Sequence, residues 1–230
     1  MKQRTILFQG DSITDANRNR LEKNANIGLG DGYVTMIAGE LTYKYPWIKV
    51  LNRGINGNRI VDTYSRWQED TLNIEYDMLS FMNGINDVGF ALRLNKGSDA
   101  KRFEYIYDRM IYEACESHPE AKLVLGQPFV MRKNLEGTEL AKEYHNDIYL
   151  NWNTWSDETK RRGEVVERIA QKYGAIYVRF WDALNTACEQ CYVEQLTIDC
   201  IHLTAAGNYV LAETWKKAAK PCFDEWNNNR

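Results

Sequence analysis

Ile6-Leu7-Phe8-Gln9-Gly10-Asp11-Ser12-Ile13-Thr14-Asp15 begins as an apolar run and ends in a glycine turn that delivers a serine. The run reads as a strand buried on both faces, with Ser12 at its carboxyl end. Four further runs share that character: Ile48–Asn52, Met78–Met82, Leu123–Leu125 with its flanks, and Ala175–Phe180. Between them lie helical patterns. Tyr33, Met36, Ile37 and Leu41 fall on one face, as do Phe103, Ile106, Tyr107, Met110 and Ile111. Val165, Val166, Ile169, Ala170 and Tyr173 make a third stripe, and Ala205 to Ala219 reads as a closing helix through Val210, Leu211 and Trp215. Strands alternating with helices predict parallel βαβ units in an α/β fold, a three-layer α/β/α sandwich with about five parallel strands. Open sheets of this kind bind ligands beyond the carboxyl ends of their strands. Ser12, Gly54 and Asn86 follow the first, second and third strands respectively.

The chemistry follows from residue types. A serine hydroxyl is a poor nucleophile until a base takes its proton, so Ser12 needs a histidine within hydrogen-bond reach. Of the three histidines, His118 ends a helix before Pro119, where a cation offsets the macrodipole. His145 lies in a polar run and reads as solvated. His202 stands in a loop before the last helix, three residues after Asp199, a spacing that lets the carboxylate hold one imidazole nitrogen while the other faces Ser12. Taken singly, Ser12 reads as a helix cap, with Asp15 three residues on, and Asp199 as a turn former. Taken together they read as a catalytic triad. Two glycine- and asparagine-rich turns, Asn52-Arg53-Gly54-Ile55-Asn56-Gly57 and Asn83-Gly84-Ile85-Asn86-Asp87, offer an oxyanion hole. Its donors would be the backbone N–H groups of Ser12 and Gly54 and the side-chain amide of Asn86. Asp87 reads as a buttress, and Asn56-Gly57-Asn58 as a plain turn.

These blocks resemble the SGNH (GDSL-type) esterase and lipase family. Gly10-Asp11-Ser12-Ile13, Gly54, Gly84-Ile85-Asn86-Asp87 and Asp199-Cys200-Ile201-His202 occur in the family's order, over a span from Phe8 to about Ala212. The resemblance implies a flavodoxin-like sandwich with a shallow site that uses neither metal nor cofactor, and acyl-ester hydrolysis through an acyl-serine. It also implies that Gln127-Pro128-Phe129-Val130-Met131 builds part of the substrate pocket. Its members include acetylesterases acting on carbohydrates, so a short-acyl ester, acetyl foremost and on a carbohydrate or small molecule, is the expected substrate. The alternatives are a lysophospholipase, lipase or thioesterase on the same scaffold, or a binding module that has lost the chemistry.

Composition bounds the rest. At 230 residues the chain suits one domain, 1–230, with no repeat or linker. A net charge of −3 with no basic stripe argues against a nucleic-acid partner. No apolar run approaches the roughly 20 residues needed to cross a bilayer, and no signal peptide is visible. Five cysteines, an odd number, point to reduced thiols in a cytosolic setting, although a chain trimmed of a leader would look the same. Cys188-Glu-Gln-Cys191 lacks the partners a structural zinc would need and reads as ordinary thiols or a local disulfide. Seven tryptophans and fourteen tyrosines could stack on sugars but more often fill cores. The polar, aromatic stretch 133–162, with Tyr144, Tyr149, Trp152 and Trp155, reads either as a surface helix or as a helix with a loop over the site. Oligomeric state is not legible.

Overall fold

The computed structural model describes residues 3–22, 24–142 and 146–228. Five strands, β1 (Arg4–Gly10), β2 (Ile48–Asn52), β3 (Met78–Met82), β4 (Lys122–Gly126) and β5 (Ile176–Val178), pair in parallel in the order β2-β1-β3-β4-β5. Side chains alternate across such strands, so each run feeds two cores. Ile6, Phe8, Met78 and Val124 point to one face and Leu7, Leu79, Phe81 and Leu125 to the other.

Helices cover both faces, as parallel sheets require. The first face carries α2 (Tyr33–Lys44), α9 (Phe180–Ala187) and α11 (Ala205–Asn228). The second carries α3 (Ile60–Ser65), α5 (Ala100–Ser117) and α8 (Trp152–Tyr173). The remaining helices are α1 (Ser12–Asp15), α4 (Ile85–Leu94), α6 (Glu139–Lys142), α7 (Asn146–Leu150) and α10 (Val193–Leu196), with a π-helical turn at Gln68–Leu72. No helix among the described residues is long and apolar enough to cross a membrane.

Two boundaries differ from expectation. The fifth strand stops at Val178, and Phe180 opens α9 with its ring buried. The closing helix runs past Pro221 to Asn228, because Cys222, Phe223 and Trp226 are buried and hold the extra turns down. In the stretch 133–162, Trp155 is fully buried under the Arg93 guanidinium and donates its indole N–H to Asp147. Tyr144 and His145 lie outside the described residues. Cys188 and Cys191 are free thiols at the end of α9, and His118 closes α5 stacked on Tyr76.

The order reverses at β1: the chain steps one way to β2 and the other way to β3. At such a switch point neighbouring loops diverge and leave a crevice at the strands' carboxyl ends.

Candidate active site

β1 ends at Gly10, and Asp11 caps the short α1 by accepting the Ile13 N–H. Capping by Asp11 leaves Ser12 as the first helical residue with its hydroxyl free to react, rather than spent as the cap. The Ser12 hydroxyl lies 2.9 Å from Nε2 of His202, whose Nδ1 is 2.6 Å from Asp199 Oδ2. A carboxylate beside Nδ1 keeps a proton there and leaves Nε2 as an acceptor for the hydroxyl proton. Asp199 Oδ1 also accepts the backbone N–H groups of Ile201 and His202, at 3.0 and 2.7 Å. The turn that folds those amides back is made by Cys200, held in the left-handed region at φ 77°.

Neighbours brace this loop. The Lys133 ammonium donates to the carbonyls of Thr197 and Ile198 at 2.8 and 2.9 Å, and the Met131 N–H donates to the Cys200 carbonyl. Within 127–131, Met131 therefore supports the loop from behind. Phe129, Val130 and Met131 are buried, and none of the five lines either cleft described below, contrary to the expectation that they build the pocket.

Electrostatics follow from burial and pairing. Burial alone would push the His202 pKa down, but the Asp199 hydrogen bond and charge outweigh it, so the imidazole titrates above its ordinary value. Burial would likewise raise Asp199, yet the His202 contact and two backbone N–H donors bring it down to about 2. Two other carboxyls move the opposite way. Burial raises Asp11 to about 7, partly offset by the Ile13 N–H and by nearby His202, and raises Asp87 to about 6. Asp87 accepts the buried Ile60 N–H at 2.8 Å, which fastens α4 to α3.

The expected donors do not all stand free. The Asn86 amide donates one hydrogen to the Asn58 carbonyl at 3.1 Å, which leaves the second available to the cleft that Asn86 lines with His202. The Ser12 N–H donates to no acceptor among the described residues. Gly54 departs from expectation. Its N–H donates to Asn52 Oδ1 at 2.9 Å inside the protein, and its carbonyl accepts from Arg18 Nε. A Cβ there would meet the Asp15 backbone nitrogen at 2.4 Å, so Gly54 is a glycine of close approach between the loop and α1. Gly57, three residues on, stands at φ 78° with open space around it, and its N–H has no acceptor among the described residues. The turn that read as plain thus supplies the unspent backbone donor. Nothing in the residue types separated the two glycines; the difference arises from Asn52, whose side chain is spent inside.

Two clefts meet at His202. One, of about 760 Å³, runs from Ser12 past polar Asn17, Arg18, Arg20, Asp31 and Thr204. The other, of about 610 Å³, is walled by Ile85, Phe90, Leu92, Leu94 and Ile201, with Asp147 from the stretch 133–162 at its edge.

Residues 8–210 match the model of the GDSL-like lipase/acylhydrolase family. An acetylxylan esterase from Geobacillus stearothermophilus is 32% identical over 219 residues, 91% of each chain. A crystal structure of Axe2, an acetylxylan esterase from that organism, superposes with a TM-score of 0.78 at 28% identity over 94% of each chain. LAE5, an α/β hydrolase from the metagenome of Lake Arreo, Spain, shares the fold with a TM-score of 0.80 at 22% identity, covering 96% of this chain and 97% of that one.

Proposed function

The chain belongs to the GDSL-like lipase/acylhydrolase family and is a carboxylic ester hydrolase, and on that premise we propose that it removes short acyl groups, acetyl foremost, from carbohydrate hydroxyls through an acyl-serine on Ser12. The observation that carries the reading is the continuous contact from Asp199 through His202 to Ser12 at the mouth of a polar cleft. In this mechanism His202 takes the Ser12 proton as the hydroxyl attacks the ester carbonyl, and Asp199 stabilises the imidazolium that forms. The oxyanion is met by the N–H groups of Ser12 and Gly57 and the free hydrogen of the Asn86 amide, with Gly54 supporting the loop. His202 then protonates the leaving alcohol and activates the water that releases the acid. Asn17, Arg18, Arg20 and Asp31 offer donors and acceptors suited to a hydroxyl-rich leaving group, and the acetylxylan esterase likeness supports the same substrate class.

The apolar cleft beside His202 favours a second reading, hydrolysis of longer acyl chains as in a lysophospholipase. Hydrolysis of p-nitrophenyl esters from acetate to laurate, wild type beside Ser12→Ala, separates the two. Turnover that peaks at acetate, vanishes in Ser12→Ala and extends to acetate release from acetylated xylan is the expected result. A peak at laurate selects the second reading, and full activity in Ser12→Ala removes both.

A further inference from the structure

Three pieces of the site come from different parts of the chain: the turn before Ser12, the loop bearing Gly57 and Asn58, and the Asn86 helix. One side chain touches or controls all of them. Arg66 lies just past the end of α3, with its side chain only 13% exposed. Its Nη2 donates to the Gly10 carbonyl at 3.2 Å, the last peptide of β1 before the nucleophile turn. Nη1 donates to the Arg53 carbonyl at 2.9 Å, at the root of the second loop. Nε donates to Asn58 Oδ1 at 2.7 Å. Asn58 follows Gly57 directly, and its main-chain carbonyl is the acceptor that orients Asn86.

The guanidinium is itself fixed from behind. Asp70 Oδ2 accepts from Nη1 at 3.0 Å, within a five-residue π-helical turn, Gln68–Leu72. The buried Gln9 amide on β1 ties that turn to the sheet through the Asp70 carbonyl and Thr71 Oγ1. The Gly10 carbonyl also accepts the Ile55 N–H at 3.0 Å, so one oxygen joins the nucleophile turn, the second loop and Arg66.

We propose that Arg66 is the positioning residue of the oxyanion hole, setting the donors of the Ser12 turn, the Gly57 loop and Asn86 in mutual register. A planar fork spreads its donors over three nitrogens and so reaches three acceptors lying in different directions, whereas the ammonium of lysine carries all its donors on one atom. Electrostatic catalysis depends on donors fixed before charge develops, so slack in that register costs turnover and not ground-state binding. The role rests on the serine-esterase reading above.

The test compares Arg66→Lys and Arg66→Ala with wild type on p-nitrophenyl acetate, with sites counted by labelling to completion with a fluorophosphonate. Labelling and hydrolysis by wild type check the esterase reading, so failure there is distinct from failure of Arg66. The expected result is a kcat per titrated site lower by roughly 10- to 100-fold, short of the ~10²–10³ that loss of a whole donor costs. KM should stay within about twofold, the signature of an interaction made only in the transition state. Added millimolar guanidinium should recover part of the Arg66→Ala loss. A merely structural role would lower the number of labelled sites and leave each at wild-type kcat; that outcome, or a rise in KM alone, overturns the proposal. If Arg66→Ala does not fold, Arg66→Lys, which keeps the charge, decides between the two.

Discussion

Gly54 and Gly57 stand three residues apart in one turn and answer to different constraints. Alanine at 54 pushes a Cβ to within 2.4 Å of backbone, so Gly54→Ala should cost about 3 kcal/mol, the upper end of overpacking penalties. Alanine at 57 meets open space and only the left-handed φ, so Gly57→Ala should cost about 1–2 kcal/mol. Urea unfolding of the two variants checks the order, and the reverse order would contradict the crowding at 54. His202 makes a second prediction. A raised imidazole pKa means the base is protonated, and lost, at a higher pH than for an ordinary histidine. The acid limb of kcat/KM should therefore lie above about 6.5. In Asp199→Asn the limb should shift to lower pH while the rate drops by roughly 10⁴. A limb that stays in place in Asp199→Asn would show that the carboxylate does not set it. At this scale the sequence was legible wherever side-chain chemistry is distinctive. Ser12, Asp199, His202 and Asn86 could be named from type and spacing. The two glycines could not be told apart, because which N–H remains free depends on the orientation of the Asn52 side chain, held inward by the Thr14 and Leu29 carbonyls from elsewhere in the chain.

Helix α11 shows how one element is fastened and how its limits are set. Trp215 is fully buried, 5.0 Å from the Phe8 ring and 6.0 Å from Phe223, with its indole N–H on Ser80 Oγ at 2.9 Å. Trp215→Ala should cost about 3–5 kcal/mol through the cavity it leaves. Trp215→Phe keeps most of the apolar contact and should cost about 1–3 kcal/mol for the orphaned Ser80 hydroxyl. Denaturant midpoints for the pair check this, and near-equal values would show that the hydrogen bond, not the volume, is what matters. The strands buried on both faces were legible almost to the residue because continuous apolar runs admit few other readings. Helix ends were less so. Pro221 removes a donor and normally stops a helix, yet burial of Phe223 and Trp226 carries α11 beyond it. The last strand ends at Val178, short of the expected Phe180, because Phe180 is as apolar as a strand residue but is buried as the first residue of α9. Such outcomes turn on tertiary packing, which a linear pattern does not contain.

For the whole molecule, three groups tie stability to pH with one sign. Asp11 and Asp87, raised to about 7 and about 6, bind protons more tightly folded than unfolded, where a carboxyl titrates near 4. Their contribution is therefore fully present below about pH 4 and declines as pH rises through 6 and 7. His202, also raised, contributes below its unfolded value near 6.5 and loses that contribution as pH climbs through the folded value. Asp199, lowered to about 2, contributes above about pH 4 and is lost only in strong acid. Tm should accordingly be higher near pH 5 than near pH 8, and Asp11→Asn should flatten the slope; calorimetry across that range checks both, and a Tm that rises toward pH 8 would contradict it. The bond between His202 and Ser12 joins positions 190 apart in the chain, and this has a temporal meaning. During synthesis the nucleophile emerges 190 residues before its base, so a growing chain can build most of the sheet and still be unable to cleave an ester. Hydrolysis switches on only when the last loop docks, which makes the enzyme's own turnover a clock for the end of its folding.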